Sequence, residues 1–173
     1  NVDCTLLPKG VFGAKNEQIL DIQSADINGD GSKDLVLLST QNNPYYDGWS
    51  IQILSNQGNA FVDITSEAFG GNVSSMGTPN QAKQMPWVPF LKLVDLNNDG
   101  WLDIYVSNDF HEDDYYYINQ KDGTYKEGIR DHFKHLSRFS MGSDVADINN
   151  DGYQDVMTLD MYPDDEKVEK SSV

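Results

Sequence analysis

A chain of 173 residues, 38% of them hydrophobic and 23% charged, is long enough for one domain with a modest core, and it holds no run of about 18 apolar residues that could span a membrane. Its 28 acidic residues against 12 basic ones give a net charge of −16, which repels nucleic acid and anionic membrane, since phosphate binding needs clustered Lys and Arg. The one cysteine, Cys4, excludes an intrachain disulfide and reads as an inert thiol.

The start, NVDCTLLPKG, lacks a basic segment followed by an apolar one, so any secretion signal is expected to have been removed or never to have been there. The stretch CTLLPKGVFGAKN reads as a single outer strand. A first inner strand is expected over Ile19 to Ile22 and a second over Leu35 to Leu38, joined by an acidic loop in ADINGDGSKDLVLLS. The loop NNPYYDGW, with Tyr45, Tyr46 and Trp49, leads to a third strand around Ile51, Ile53 and Leu54. A Gly58-Asn59 turn then leads to a fourth around Phe61, Val62 and Ile64. Residues 70–89, rich in Gly, Ser, Asn, Gln and Pro, read as a connecting loop, with Trp87 packing back on its own sheet.

The pattern then repeats. Phe90 to Val94 and Ile104 to Val106 flank a second acidic loop, VDLNNDGWLDIYVSN. YYYINQKDG and TYKEGIR read as the third and fourth strands, joined through Asp122-Gly123. The intervening NDFHEDDYYY, with Asp109, His111, Glu112, Asp113 and Asp114, is expected to be a solvated hairpin loop, the alternative being a further metal site at a blade corner. Alternate residues of Tyr115 to Tyr117 are expected in a core between sheets. A third copy, ADINNDGYQDVMTLD, lies between Ser143 to Ala146 and Val156 to Leu159 and is followed only by an acidic tail. The strand runs are nearly continuous in apolar character, as for strands covered on both faces.

Four antiparallel strands repeated in series describe an all-β chain of β-propeller blades. Approximate blades are 19–69, 90–130 and an incomplete 138–163, with 70–89 as the inter-blade loop and 164–173 as the tail. That is about two and a half to three blades, where closure usually takes at least about four. The chain is therefore expected to be a fragment of a larger propeller or to be completed by another copy of itself.

The three loops carry the chemistry. Each reads Asp-x-Asn-x-Asp-Gly-x-x-Asp, and together they hold nine of the 28 acids. Calcium takes six to eight oxygens at about 2.3–2.6 Å, and a tight loop supplies them from alternate residues. The expected ligands are Asp26, Asn28, Asp30, the carbonyl of Ser32 and Asp34 in the first loop. In the second they are Asp95, Asn97, Asp99, the carbonyl of Trp101 and Asp103. In the third they are Asp147, Asn149, Asp151, the carbonyl of Tyr153 and Asp155. Gly31, Gly100 and Gly152 fall where a chain wrapping an ion must turn sharply. An EF-hand needs Glu at position twelve and flanking helices; here position twelve is Leu37, Val106 and Thr158, between strands. His111, His132 and His135 do not repeat at zinc-ligand spacing.

These loops and their strands resemble the FG-GAP and VCBS repeats of bacterial secreted proteins and of integrin α-chain propellers, over roughly Ile19 to Pro163. DIYVSNDF, DDYYYINQKDGTY and FSMGSDVADINNDGYQDVMTLDMYPDDE further resemble bacterial repeats near ASPIC domains and cartilage acidic protein. The resemblance implies a multi-bladed propeller outside the cytoplasm, binding about three Ca²⁺ ions and serving adhesion, ligand binding or scaffolding. Loops of this kind tend to be weak sites of about 10⁻⁴–10⁻³ M, which points to a secreted or cell-surface protein, or a periplasmic one. The expected partners are a protein or carbohydrate ligand and a second copy or the remainder of a larger propeller. No phosphate loop or nucleophile elbow is present, so a non-enzymatic module is expected. The alternative is a polysaccharide lyase or hydrolase using paired Asp residues on the same scaffold.

Overall fold

A computed structural model describes residues 17–42, 46–70, 87–109, 113–137 and 140–160. The N-terminal segment with Cys4, Tyr45, most of the 70–89 connection, His111 and Glu112, and the acidic tail lie outside the described residues.

Among the described residues are two four-stranded sheets and one two-stranded hairpin. The first sheet runs in the order β1 (Glu17–Ala25), β2 (Asp34–Asn42), β3 (Tyr46–Asn56) and β4 (Phe61–Asp63). The second repeats it with β5 (Trp87–Val94), β6 (Asp103–Asp109), β7 (Tyr115–Asn119) and β8 (Tyr125–Glu127). The hairpin pairs β9 (Ser140–Ala146) with β10 (Asp155–Asp160). All pairings are antiparallel, and each acidic loop joins the first two strands of its unit. This is the expected all-β plan of propeller-like blades. Among the described residues, no helix is long and apolar enough to cross a membrane.

The units stack through their first strands, with β1 beside β5 and β5 beside β9. Strand alternation then feeds two cores, because successive side chains leave opposite faces of a sheet. Ile104 and Val106 join Val36, Leu38, Ile51 and Ile53 of the first blade in one cluster, with Leu91 and Tyr117. Tyr105, between them on β6, points the other way and packs with Tyr116, Ile129, Phe133 and Val156 toward the third hairpin. The second blade is thus covered on both faces, as its continuous apolar runs require. Polar ties cross the second seam: Lys92 reaches Asp144 at 3.3 Å, and the hydroxyls of Ser107 and Ser143 lie 3.2 Å apart.

Several local expectations change. The fourth strand of the second unit ends at Glu127 instead of running to Arg130. Gly128 N–H bonds to Tyr116 O at 2.9 Å, the Glu127 carboxylate accepts Ile129 N–H at 2.7 Å, and the chain turns into α2 (Ile129–His132). The first blade does the same with Ile64 N–H on Ile53 O, the Asp63 carboxylate on Thr65 N–H, and α1 (Thr65–Ala68). Short polar side chains that hold a nearby N–H favour such turns over strand continuation. Tyr46 and Trp49 fall inside β3, since β-propensity of aromatic residues overrides the loop reading, while Tyr115 to Tyr117 fall inside β7, the third strand expected there. Tyr116 and Tyr117 are buried on opposite faces, as the core reading expects. β5 starts at Trp87, so the connection is shorter than 70–89.

β10 departs from the both-faces rule. Met157 is 50% exposed and Leu159 62%, although they occupy the places that the buried Val36 and Leu38 hold on β2. The first blade packs that face on the second. Among the described residues, nothing packs on the same face of β10.

Ile53→Ala is expected to cost about 2–5 kcal/mol in urea denaturation, because it leaves a cavity between two sheets. Met157→Ala should stay within about 0.5 kcal/mol. Equal costs at the two positions would contradict the stacking described above.

Candidate metal-binding loops

The three loops share one hydrogen-bond pattern, built from the side chains at positions one, three, five and nine. In the first loop Asp26 Oδ1 and Asn28 Oδ1 both accept the Asp30 N–H, at 3.1 and 3.0 Å. Asp26 Oδ2 accepts Gly31 N–H at 2.9 Å, and Asp30 Oδ1 accepts Ser32 N–H at 2.7 Å. In the second loop Asp95 and Asn97 converge on the Asp99 N–H, both at 3.0 Å. Asp95 then takes Gly100 N–H at 2.7 Å, and Asp99 takes Trp101 N–H at 2.9 Å. In the third, Asp147 and Asn149 meet at Asp151 N–H at 3.0 and 2.8 Å, with Gly152 N–H on Asp147 and Tyr153 N–H on Asp151, both 2.9 Å. So the oxygens at positions one and three face the same point in every loop.

The backbone makes this convergence feasible. Gly31, Gly100 and Gly152 sit at φ of 84°, 87° and 90°, in the left-handed region that a side chain resists. Position four is also left-handed: Gly29 at 74°, Asn98 at 58° and Asn150 at 60°. Asn is among the few residues with a side chain that visit this region readily.

Position nine does something the motif alone does not announce. Asp34 and Asp103 are completely buried. Asp34 accepts Ile27 N–H at 3.2 Å from its own loop and Asn56 N–H at 2.8 Å from the end of β3. Asp103 accepts Leu96 N–H at 3.4 Å, Asn119 N–H at 2.9 Å and the Tyr116 hydroxyl at 2.5 Å. Asp155 accepts Ile148 N–H at 3.0 Å, in a far more exposed setting. Each of these carboxylates therefore closes the loop onto its strand, and the first two also fasten the third strand of the blade.

Electrostatics separates the positions. Burial pushes the Asp34 and Asp103 carboxyls up, against the N–H groups that favour their ionised forms. The Ser32 N–H and the Asn28 amide hold Asp30 below the ordinary carboxylate range. Desolvation acts upward on Asp99, but the Trp101 N–H, Asn97 and Lys121 together hold it low. Lys121 stands 3.4 Å from the Asp99 carboxylate.

The donor chemistry fits a hard cation. Every candidate ligand is an oxygen, from carboxylate, carboxamide or main-chain carbonyl, with no sulfur or imidazole among them. Among the described residues, no three Asp, Glu, His or Cys side chains stand together as a metal-holding group. Position three is Asn in every loop, and the carboxylates at one, five and nine are turned to main-chain N–H groups.

Asn56 and Asn119 were not singled out in the sequence, yet they are part of each loop's frame. Each donates its N–H to the position-nine Asp and its side-chain amide to the carbonyl just before that Asp, Lys33 O at 3.0 Å and Leu102 O at 3.2 Å. The signal was there: both stand in Asn-Gln followed closely by Gly, in SNQG and INQKDG, at the end of a third strand.

Of the acids in the 109–114 stretch, Asp114 is not solvated as expected. Asp114 is 2% exposed. It accepts the Tyr105 hydroxyl and Asn108 N–H, the latter at 2.8 Å, and burial pushes its carboxyl up to about 6 despite these bonds. It lines a cavity of about 60 Å³ with Tyr105, Ser137, Val156 and Thr158, between the second blade and the third hairpin. Asp113 pairs with Arg130 at the surface.

Residues 95–158 match the family model described as an FG-GAP-like repeat, a segment that runs from the first Asp of the second loop to β10. No curated protein and no solved structure matches the chain.

Two predictions follow from the carboxylates. In calcium-free buffer, Asp103→Ala strands two buried donors and a half-buried one and should cost about 3 kcal/mol or more, whereas Asp155→Ala should cost about 1 kcal/mol or less. Denaturation in excess EDTA reads the difference free of any metal effect. The Asp114 carboxyl binds its proton more tightly folded than unfolded, so its stabilising contribution is full below about pH 4 and is lost as pH rises through about 6. The stability of the wild type relative to Asp114→Asn should fall across that window and level off above it. A difference independent of pH would contradict the raised value.

Proposed function

We propose that this chain, an all-β module whose residues 95–158 form an FG-GAP-like repeat, binds calcium through its three acidic loops and works outside the cytoplasm as a non-catalytic adhesion or ligand-binding module. One observation carries the reading: in all three loops the side-chain oxygens at positions one and three meet at the same main-chain N–H, that of position five, although their neighbours differ.

On this reading Asp26, Asn28, Asp30 and Asp34 hold the first ion with the Ser32 carbonyl. Asp95, Asn97, Asp99 and Asp103 hold the second with the Trp101 carbonyl. Asp147, Asn149, Asp151 and Asp155 hold the third with the Tyr153 carbonyl. Calcium supplies positive charge where three carboxylates otherwise repel one another. Its flexible, oxygen-rich coordination suits a loop that offers carboxylates, an amide and a carbonyl; magnesium, smaller and strictly octahedral, suits it less. The net charge of −16 favours divalent cations in general, and the loops give them defined places.

All three loops lie where the first strand of a unit turns into the second, so they share one end of the stacked sheets. Ions at that end would fix the inner hairpins and leave the connecting loops of the blades to meet a protein or glycan.

Thermal unfolding followed by circular dichroism, in millimolar CaCl₂ and again in excess EDTA, tests the reading. At a hundredfold excess over Kd, linkage predicts about 2.7 kcal/mol of stabilisation per site. A clear rise in midpoint with calcium, and a smaller one with equal magnesium, is the expected result. An unchanged midpoint on chelation would overturn it.

A further inference from the structure

The first two loops are physically joined, and the third is not joined to them in the same way. Asn119, 2% exposed, is the centre of the connection. Its N–H donates to Asp103 at position nine of the second loop. Its side-chain amide donates at 3.2 Å to Leu102 O in the second loop and at 3.0 Å to Ile27 O at position two of the first. One amide group thus spans two blades and touches both loops. The Ile27 side chain is itself buried against the second blade, in the cluster with Ile104 and Tyr117.

A second bridge lies beside the first. The Trp101 indole, at position seven of the second loop, packs on Gly29, at position four of the first. A Cβ at residue 29 would stand 2.7 Å from Trp101 Cη2 and 3.2 Å from Cζ3. This explains a departure in the repeat. The second and third loops use Asn at position four, which tolerates the left-handed backbone, but the first uses Gly, the one residue that also leaves room for the ring. The corresponding groups of the third loop are free of such bracing: Ile148 at position two is 59% exposed and Tyr153 at position seven 57%.

We infer that the first two loops bind calcium as a coupled pair, with Asn119 and Trp101 as the positioning residues that transmit occupancy, while the third loop binds independently; the inference rests on the calcium reading above. The physical basis is shared ordering. Trp101 is the residue whose main-chain carbonyl is a candidate ligand of the second loop, so fixing that carbonyl also fixes the indole against Gly29. Asp103 is both a candidate ligand and the acceptor that seats Asn119, whose amide holds the first loop at Ile27. Whichever loop fills first orders contacts that the other also needs, and the second event then costs less conformational entropy. Such coupling is reciprocal, so each loop gains from the other by the same factor.

Calcium titrations of the intact chain, by calorimetry and by tryptophan fluorescence, test this with a cycle of disabled loops. Asp→Asn replacements at positions one and five disable a loop while keeping its shape, and dichroism in EDTA checks each variant's fold. With the third loop disabled, calcium should bind the first two with a combined affinity at least about fivefold above the product of their separate affinities, each measured with the other also disabled. Disabling the third loop alone should leave the pair unchanged. Trp101→Ser gives the second loop the residue that the first loop carries at position seven, and so keeps the carbonyl. It should reduce the coupling while both loops still bind. Equal affinities for the first loop with the second intact or disabled would overturn the inference and leave calcium binding standing. No calcium binding by the unaltered, folded chain would sink the loop reading, and this inference with it.

Discussion

The fold turns on a buried carboxylate at the ninth position of the loop. Asp34 and Asp103 each lie with no exposed surface and spend their oxygens on N–H groups from two directions, the loop before them and the third strand beside them. A buried carboxylate is costly unless its oxygens are satisfied, and satisfaction here requires loop, second strand and third strand to meet at one point. That requirement sets where the second strand begins and where the third ends. It also explains why the motif ends in Asp at the strand boundary instead of continuing to an acid at position twelve, as a helix-flanked loop would.

From that point the blade grows by alternation. Once Asp103 starts β6, Ile104 and Val106 must leave one face and Tyr105 the other, and a strand with large apolar groups on both faces needs a neighbour on each side. The first blade supplies one neighbour and the third hairpin the other. The hairpin's own outward positions, Met157 and Leu159, carry the same apolar character into open space. The stack is therefore directional: each blade offers its second and fourth residues after Asp to the next blade. An edge with such residues is one that proteins ordinarily cover.

Much of this was legible from the sequence, and for identifiable reasons. The triple Asp-x-Asn-x-Asp-Gly-x-x-Asp spacing, together with strand-like runs on either side, is a dense local signal, and both the loops and the four-strand order can be read from it. What failed to show depends on tertiary contact. Asp114 looked like one more solvated acid in NDFHEDDYYY, because burial beneath Tyr105 and the third hairpin leaves no trace in local composition. The turn at Gly128 and α2 were hidden within a strand-like TYKEGIR because a single side-chain bond from Glu127 decides them. Tyr46 and Trp49 of β3 read as loop because Pro44 stands close before them. Asn119 was the costliest omission: Asn-Gln before a Gly marks the end of a third strand, but the tie between blades appears only when Ile27, 92 residues earlier in sequence, is seen on its amide.

The division of work among the loop acids has a consequence for the metal. Positions one, three and five organise the loop through its own N–H groups, and they do so at the surface, where Asp30 and Asp99 stay ionised. Position nine organises the blade from the interior. The turn and its two left-handed residues are held by N–H bonds to the loop's own carboxylates. What a cation would meet is charge: three acids fall within each nine-residue loop, nine of the chain's 28. The second loop has partly met that need with Lys121 beside Asp99, and the first and third carry Asp30 and Asp151 at the same position with only neutral donors described around them. Affinity should therefore differ between loops through the charge beside position five, even though the nine-residue pattern is the same in all three.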